Sequence, residues 1–347
     1  SLPMVNYGIA GSVSISTLFA AGFGPGALLF YYTCAGGTQA PWSRDGVFTQ
    51  RLAVSADGGR TLEKQPGLLL PNLVHDNRDP KVFRHEASGA YIMTLYLAGN
   101  DFAIFRSPDL IHWEQTQQLT LPEAWECPDL FPLTVEGEEK WVFWSADSFY
   151  FVGSFDGWRF TPEQPRRTAY ANRIGYAAQT FAREEGRVLS VAWLRLPNAG
   201  RRFTGVMSVP MELTLARDAE GYALRMHPCR ELSGAMKPVS GTDAPEAPWV
   251  LRADVPADAG SVCVSFPGGE LTLDMDAGTG RFGETSLSFA PGKALPLLLI
   301  ADYAVFELYL GSGAVYAPEQ NLSSSLAGPV SVTGAGGRIP FTLSKVD

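Results

Sequence analysis

Short apolar runs separated by turn-forming residues recur along the chain. The clearest runs contain many aromatic and β-branched residues and lie at residues 27–32, 91–97, 140–145 and 187–194. Their length, composition and flanking turn residues predict β-strands. No stretch before residue 225 has a convincing helical period, and only residues 230–237 leave room for a short helix. The pattern therefore predicts an all-β protein.

Three similar segments point to a repeated unit. They are S-A-D-G-G-R-T-L-E from Ser55, S-P-D-L-I-H-W-E from Ser107 and S-F-D-G-W-R-F-T from Ser154, and their starts lie 52 and 47 residues apart. A period of roughly 40–50 residues with four strands is typical of a β-propeller blade. Three unrelated turns are the alternative, because Asp-Gly is common in turns. The matched contexts favour hairpins that lead into the outer strands of successive blades.

The composition changes after about residue 230. A linker-like stretch occupies residues 238–247. Alternating or apolar segments follow it, at residues 249–265, 270–276, 286–289, 297–302 and 305–310. This pattern predicts a β-sandwich. We therefore expect a propeller domain over residues 1–232 and a sandwich domain over residues 238–347.

The charge balance narrows the class of partner. The 27 Lys and Arg residues face 36 Asp and Glu residues, which gives a net charge of −9. This argues against nucleic acid or an anionic membrane as the main partner. The sequence has no apolar stretch long enough to span a membrane. The four cysteines lack metal-ligand spacing and are too few for a disulfide scaffold, so we expect free thiols.

The first residues do not resemble a natural start. No charged-then-apolar leader opens the sequence, and it begins Ser-Leu-Pro-Met. We expect a processed or truncated product, whose compartment the sequence leaves unknown.

Two short motifs carry the chemistry. N-R-D-P-K-V-F at residues 77–83 and W-E-C-P-D-L-F at residues 125–131 resemble signature segments of glycoside hydrolase family 32, which contains invertases, inulinases and levanases. Similar stretches elsewhere are Y-A-A-Q-T-F (176–181), A-W-L (192–194), G-V-M-S-V-P-M-E-L-T-L (205–215) and L-L-L-I-A-D-Y-A-V-F-E-L-Y-L (297–310). The resemblance covers nearly the whole chain, and the two motifs together are specific.

The resemblance implies both a fold and an activity. The family fold is a five-bladed β-propeller followed by a β-sandwich, in agreement with the repeat and the change in composition. The implied substrates are β-fructofuranosides such as sucrose, inulin or levan. The implied reaction is hydrolysis with retention, without a cofactor or metal. The expected partner is thus a carbohydrate.

The resemblance also assigns roles to individual residues. Glu126 matches the general acid/base, which needs a carboxyl with a raised pKa, and Trp125 and the Cys127-Pro128 turn offer an apolar setting for it. The alternative for Glu126 is a solvated carboxylate at a strand end. Asp79 matches the transition-state stabiliser.

Other residues near these two have open roles. Arg78 would hold the same sugar by directional hydrogen bonds; the alternative is a structural Arg78–Asp79 pair. For Asp129 we favour a structural role. Trp125 and Trp193 are candidate sugar platforms or core residues.

The sequence departs from the family at the nucleophile. The family's nucleophile is the aspartate of an N-terminal W-x-N-D-P-N-G segment, and Asn-Asp-Pro occurs nowhere in this chain. Residues 8–13, G-I-A-G-S-V, instead resemble the start of the second blade. We therefore expect the first blade to be missing and four blade-like units to remain, at about residues 5–65, 77–118, 124–163 and 172–225. Asp45 and Asp101 are conceivable replacements, but loop positions explain both more simply.

Three functional hypotheses remain open. The first is a fructan-directed glycosidase or its remnant. The second is a catalytically impaired protein that binds carbohydrate in the same funnel, which the absent nucleophile favours. The third is the related five-bladed arabinan-hydrolase family, whose acidic motifs differ and which lacks W-E-C-P. A missing blade would leave strand edges open, and we expect rearrangement, a second copy or an upstream segment to close them.

Overall fold

The computed structural model describes residues 23, 26–37, 39–41, 43–181 and 186–347. These residues form two compact units. The first runs to Arg167 and includes residues 177–181, and the second contains residues 168–176 and 186–347. The domain division near residues 232–238 stays a prediction.

The first unit contains three antiparallel sheets. The first sheet has the strands Leu28–Cys34, Thr49–Ser55 and Glu63–Lys64. The second has Arg78–His85, Ala90–Ala98, Asp101–Ser107 and Glu114–Thr120. The third has Asp129–Val135, Glu138–Trp144, Phe149–Phe155 and Phe160–Pro162. In each of these three strand orders the neighbours are consecutive in sequence, which is the meander of a propeller blade, and the third sheet has a fifth, short strand, Arg167–Thr168, outside this order.

The second sheet is buried on both faces. Met93 and Leu95 belong to a buried cluster shared with the first sheet, whereas Ile92 and Phe102 belong to one shared with the third. Side chains alternate across a strand, so burial of both faces explains why residues 91–97 form a continuous apolar run. Burial of each such side chain stabilises the folded state by roughly 1.5–3 kcal/mol relative to leaving it exposed.

Two of the repeated Ser-x-Asp segments are closed by the same hydrogen bonds. Ser107 Oγ donates to Asp109 Oδ1 at 3.1 Å and accepts the N–H of Leu110 at 2.8 Å. Ser55 Oγ likewise donates to Asp57 Oδ1 at 2.7 Å. Each of the three repeats connects two consecutive strands that pair antiparallel, which confirms their prediction as hairpins.

The second unit begins with a further antiparallel sheet. Its strands Val188–Leu194, Met211–Asp218 and Gly221–Pro228 pair in this order, and Val206–Met207 pairs with the first of them. Two other strands, Arg167–Thr168 and Gly175–Thr180, precede this sheet in sequence. Each contains a boundary between the two units. A 3₁₀ helix, Arg230–Ala235, follows this sheet. It lies within residues 230–237, for which the sequence analysis allows a short helix.

Two six-stranded sheets complete the second unit. One has the order Met236–Pro238, Phe341–Val346, Trp249–Val255, Leu295–Ala301, Val305–Leu310 and Val315–Gln320. The other has the order Thr285–Ser288, Thr279–Phe282, Gly269–Asp274, Ser261–Phe266, Ser331–Gly334 and Gly337–Arg338. A two-stranded pair, Asp243–Ala244 with Gly328–Pro329, accompanies them. One buried cluster contains side chains from both large sheets, so they form a sandwich.

The second unit buries one carboxyl group. Glu307 is 2% exposed and accepts hydrogen bonds from Tyr316 Oη at 2.7 Å, Tyr309 Oη at 3.2 Å and the Val209 N–H at 2.9 Å. Burial outweighs these donors and raises the pKa of Glu307 to about 7.

The structure confirms the predicted all-β class with blade-like sheets and a sandwich. The segment 249–265 is two strands, because the turn at residues 256–260 divides it. All four cysteines are free thiols, as predicted. Residues 8–13, on which the expected loss of the first blade rests, lie outside the described residues. Among the described residues, no helix is long and apolar enough to cross a membrane.

Ser107→Ala should destabilise the first unit. The buried N–H of Leu110 would lose its acceptor, which costs about 1–3 kcal/mol. Urea unfolding followed by tryptophan fluorescence measures the loss. Ser154→Ala is the matched control, because Ser154 holds the same place in the repeat but is exposed. Equal losses in the two variants would contradict this account of the turn.

Candidate active site

Asn77 closes the loop before the second sheet. Its side chain is fully buried, and its Oδ1 accepts the N–H groups of Leu73 at 2.9 Å and Val74 at 3.2 Å. Its carbonyl accepts a hydrogen bond from Gln50 Nε2 at 2.9 Å. These bonds supply partners that loop backbone otherwise lacks, and they fix where Arg78 enters its strand.

Asp79 lies on a β-bulge. The register of its strand shifts between Arg78 and Lys81, and Asp79 has a φ of 62°. Pro80 has no N–H, so the bulge leaves no donor unpaired there. The N–H of Asp79 donates to Thr33 Oγ1 at 3.1 Å. Bulges re-aim side chains, and this one turns the Asp79 carboxyl towards the turn before the third sheet.

That turn carries Glu126. Glu126 and Cys127 have left-handed φ angles of 53° and 43°. The N–H of Ala146 contacts the carbonyls of Trp125 at 3.1 Å and Glu126 at 3.2 Å. Gln179 Nε2 donates to the carbonyl of Cys127 at 3.3 Å. Strained backbone of this kind persists only where the surroundings hold it, and it clusters at functional sites.

One guanidinium joins the two carboxyl groups. Arg78 Nη2 donates to Glu126 Oε1 at 2.5 Å, and its Nε lies 3.8 Å from Asp79 Oδ2. Its Nη1 donates to the carbonyl of Asp76 at 2.9 Å. The guanidinium carbon lies 4.6 Å from the centre of the Tyr96 ring. The planar guanidinium is thus held on several sides, and Arg78, Asp79 and Glu126 are brought together.

Asp79 is the more buried of the two carboxyl groups. Its side chain is 3% exposed, against 23% for Glu126. Its Oδ2 accepts the N–H of Cys127 at 3.1 Å, whereas its Oδ1 is buried without a hydrogen-bond partner among the described residues. Burial, partly offset by Cys127 and Arg78, raises the pKa of Asp79 to about 6. A buried acceptor without a partner is costly unless a ligand supplies the donor.

The setting of Glu126 differs from the expectation. The sequence predicts an apolar environment formed by Trp125 and the Cys127-Pro128 turn. In the structure, Glu126 is partly exposed and pairs with Arg78. The reason is that the turn directs its side chain away from the core and towards the guanidinium.

A buried ion pair lies next to these residues. Lys81 Nζ lies 3.1 Å from Asp129 Oδ2, and the two side chains are 9% and 1% exposed. The N–H and hydroxyl of Thr180 donate to the same oxygen at 2.7 and 2.8 Å, and the N–H of Leu130 donates to Oδ1 at 2.8 Å. Asp129 is therefore a structural anchor, as the sequence analysis favours.

The two candidate tryptophans are placed differently. Trp125 is half-buried, packs against the core cluster and meets the Phe149 ring edge-on at 5.4 Å. Trp193 is 41% exposed and meets the Tyr176 ring edge-on at 6.3 Å. Trp193 belongs to the second unit, whereas Glu126 belongs to the first. The core interpretation suits Trp125, and a sugar-platform role for either residue stays a prediction.

The two replacement aspartates have ordinary surroundings. Asp45 is exposed in a turn. Asp101 is the first residue of a strand rather than a loop residue, and Thr120 Oγ1 donates to it at 2.5 Å. These contacts need no catalytic role.

Sequence reasoning missed Lys81 and Thr180. Both lie within the quoted motifs, N-R-D-P-K-V-F and Y-A-A-Q-T-F. A lysine in an apolar strand is a signal, because lysine is rarely buried without a partner. No group of three or more His, Cys, Asp or Glu side chains in the described part of the chain is arranged to hold a metal ion.

Comparison with known families decides the chain's membership. Residues 6–228 match the family model described as the glycosyl hydrolases family 32 N-terminal domain, which is more than half of the chain. The chain belongs to glycosyl hydrolase family 32. The resemblance seen in the two acidic motifs is thereby confirmed.

Similarity to individual proteins supports this assignment. A levanase from Bacillus sp. (strain L7) is 30% identical over 281 residues, which are 70% of this chain and 29% of the levanase. An extracellular exo-inulinase from Meyerozyma guilliermondii is 32% identical over 241 residues, which are 62% of this chain and 46% of that protein. The chain thus spans less than half the length of these relatives.

Solved structures share the fold. The exo-inulinase from Aspergillus awamori has a TM-score of 0.79 at 18% identity, and the match covers 93% of this chain and 80% of that one. The β-fructofuranosidase from Schwanniomyces occidentalis complexed with fructosyl-erythritol has a TM-score of 0.75 at 19% identity, with coverages of 99% and 81%. These similarities establish the family 32 fold.

Asp79 should make stability depend on pH. Burial raises the pKa of its carboxyl from the ordinary value of 3.8 to about 6 in the folded state, so between these values the folded state binds more protons. Stability should therefore fall as pH rises through this window, by at most about 3 kcal/mol. Urea unfolding at several pH values should show a smaller fall in Asp79→Asn than in the wild type, because the raised pKa of Glu307 contributes equally to both proteins and cancels in the difference. Identical pH dependence in both would refute the burial argument.

Lys81→Met should be strongly destabilising. It leaves the Asp129 carboxylate buried without its cation, which costs about 3–5 kcal/mol. Adding Asp129→Leu should recover part of the loss, since no unpaired charge remains. The control is Arg84→Met, which removes an exposed pair with Glu86 at 3.7 Å worth about 0–1 kcal/mol. Unfolding midpoints in urea measure all three, and equal losses for Lys81 and Arg84 would count against the anchor.

Proposed function

We propose that the chain recognises β-fructofuranosides through Arg78, Asp79 and Glu126. The observation that carries the proposal is the single guanidinium that joins both acidic residues in a family 32 chain. Asp79 offers a buried carboxylate oxygen without a partner, and Arg78 offers directional donors. Sugar hydroxyls are both donors and acceptors, so they suit both groups.

Related proteins support this substrate class. Proteins similar to this chain in sequence are named levanase, exo-inulinase and invertase. Fructofuranosidases with a similar fold have been solved with fructosyl-erythritol, fructosylnystose and fructose. For this chain we infer the same class of ligand, a fructose unit at the end of sucrose or a fructan.

The proposed reaction is hydrolysis of the glycosidic bond. Glu126 would donate a proton to the leaving oxygen and later accept one from water. Asp79 would hold ring hydroxyls while positive charge develops on the sugar. An entering sugar would replace Glu126 as the partner of Arg78, which frees Glu126 for proton transfer. A retaining mechanism also needs a nucleophilic carboxylate about 5 Å from the acid.

A second function is favoured by one observation. The 347 residues contain no Asn-Asp-Pro, the family's nucleophile sequence. Losing one member of a covalent catalytic unit costs orders of magnitude in rate. A catalytically impaired protein that binds fructose units through the same three residues is therefore the alternative proposal.

Glu126→Gln separates the two functions. If the chain is a hydrolase, release of fructose from sucrose, inulin and levan should fall by about 10²–10⁴-fold, because the proton donor is lost. The matched control is Glu86→Gln, which removes an exposed carboxylate of the same unit. Fructose release is measured by enzymatic assay, and sugar binding by titration calorimetry.

Each outcome has a distinct meaning. Release that disappears only in Glu126→Gln supports hydrolysis. Binding without release, lost in Arg78→Ala, supports the impaired protein. Neither binding nor release by the wild type would refute both proposals.

A further inference from the structure

A groove lies at the far end of the second sheet from Arg78. It has a volume of about 490 Å³, and its walls include Arg106, Trp113, Glu114 and Trp158. Arg106 is in register with Glu114 on the neighbouring strand, four strand positions from the level of Arg78. At about 3.3 Å per residue, the groove lies on the order of 13 Å along the strands from Arg78. It is therefore separate from the candidate active site.

A rigid turn presents Trp158 at this groove. Asp156 Oδ1 accepts the N–H groups of Trp158 at 2.8 Å and Arg159 at 2.7 Å. Trp158 is nevertheless 46% exposed. The fixed turn holds a large apolar ring at the surface, where folding alone gains little from it.

Arg106 lies against one face of that ring. Its guanidinium carbon is 4.4 Å from the centre of the Trp158 ring, so a cation–π contact orients it. Its Nη1 is buried and has no hydrogen-bond partner among the described residues. A ligand oxygen that reached the guanidinium after a small shift of the ring would supply the missing acceptor. Binding would then remove a cost that the free protein bears.

The rest of the groove adds a second ring and balanced charge. Trp113 is half-buried, and its Nε1 donates to the carbonyl of Leu110 at 3.2 Å, which holds the ring in place. Glu114 is exposed and balances the charge of Arg106. This balance does not favour a highly charged ligand. Two indoles and hydrogen-bonding side chains that line one groove suit a ligand with an apolar face and a hydroxyl rim.

We propose that this groove is a second carbohydrate-binding site. Its volume lies within the range of about 300–1,000 Å³ usual for small-molecule sites, so it accommodates a short stretch of oligosaccharide. The identification of this carbohydrate as a fructan rests on the proposed function. The site holds a part of the polymer remote from the bond at Glu126 and raises affinity for long chains over sucrose.

Retention by polysaccharide tests the site without requiring catalysis. The full chain is run in native gels that contain soluble levan or inulin, and the dissociation constant is taken from the retardation. Trp158→Ala and Arg106→Gln should weaken retention at least about 5-fold, since stacking and a charged hydrogen bond are lost. The matched control is Tyr303→Ala, which removes from the other unit an aromatic ring that is 54% exposed, against 46% for Trp158. Circular dichroism confirms that each variant is folded.

Retention lost in both groove variants and kept in Tyr303→Ala supports the second site. Retention unchanged in the groove variants, or absent in the wild type, overturns it. Sucrose hydrolysis and its loss in Glu126→Gln report on the proposed function independently. Retention that persists in Glu126→Gln and disappears in Trp158→Ala separates the two sites directly.

Discussion

The buried ion pair between Lys81 and Asp129 is the constraint on which the candidate site depends. Each partner lies near the start of the first strand of its sheet, and both side chains are almost fully removed from water. Separating them would leave an uncompensated charge in the interior, so the two strand starts are held in one relative position. The residues proposed for catalysis lie within three residues of this anchor, with Asp79 before Lys81 and Glu126 before Asp129. In each of these two segments, a candidate functional residue is thus followed closely by one member of the ion pair.

The anchor makes local strain tolerable. Asp79, Glu126 and Cys127 all adopt left-handed backbone conformations, and each such residue costs of order 1–3 kcal/mol. The bulge and the turn together direct the two carboxyl groups to one guanidinium. The same arrangement leaves one oxygen of Asp79 buried without a partner. Strain and an unsatisfied acceptor at one place support the proposal that these residues bind a polyhydroxylated ligand.

The second sheet supports a different group of residues at each of its two ends. Its two buried faces make it rigid, because it packs between the first and third sheets. At one end, this rigidity positions Arg78 and Asp79. At the other, it supports Arg106 beneath an exposed indole. Under the two proposals, a polymer contacts both ends of this sheet, whereas a disaccharide reaches only one.

The sequence by itself determined the elements and the family. Apolar runs, the Ser-x-Asp repeats and the change after residue 230 follow from local chemistry, and so Val305–Leu310 was located to the residue. The two acidic motifs made Asp79 and Glu126 the candidate catalytic residues, because they match the family's signature segments. Only the tertiary structure decided that Asp79 is the deeply buried carboxyl, and that Lys81 meets Thr180, 99 residues away in sequence. Burial and hydrogen bonding of this kind arise from side chains that folding brings together, and no local pattern encodes which distant residue will remove a given group from water.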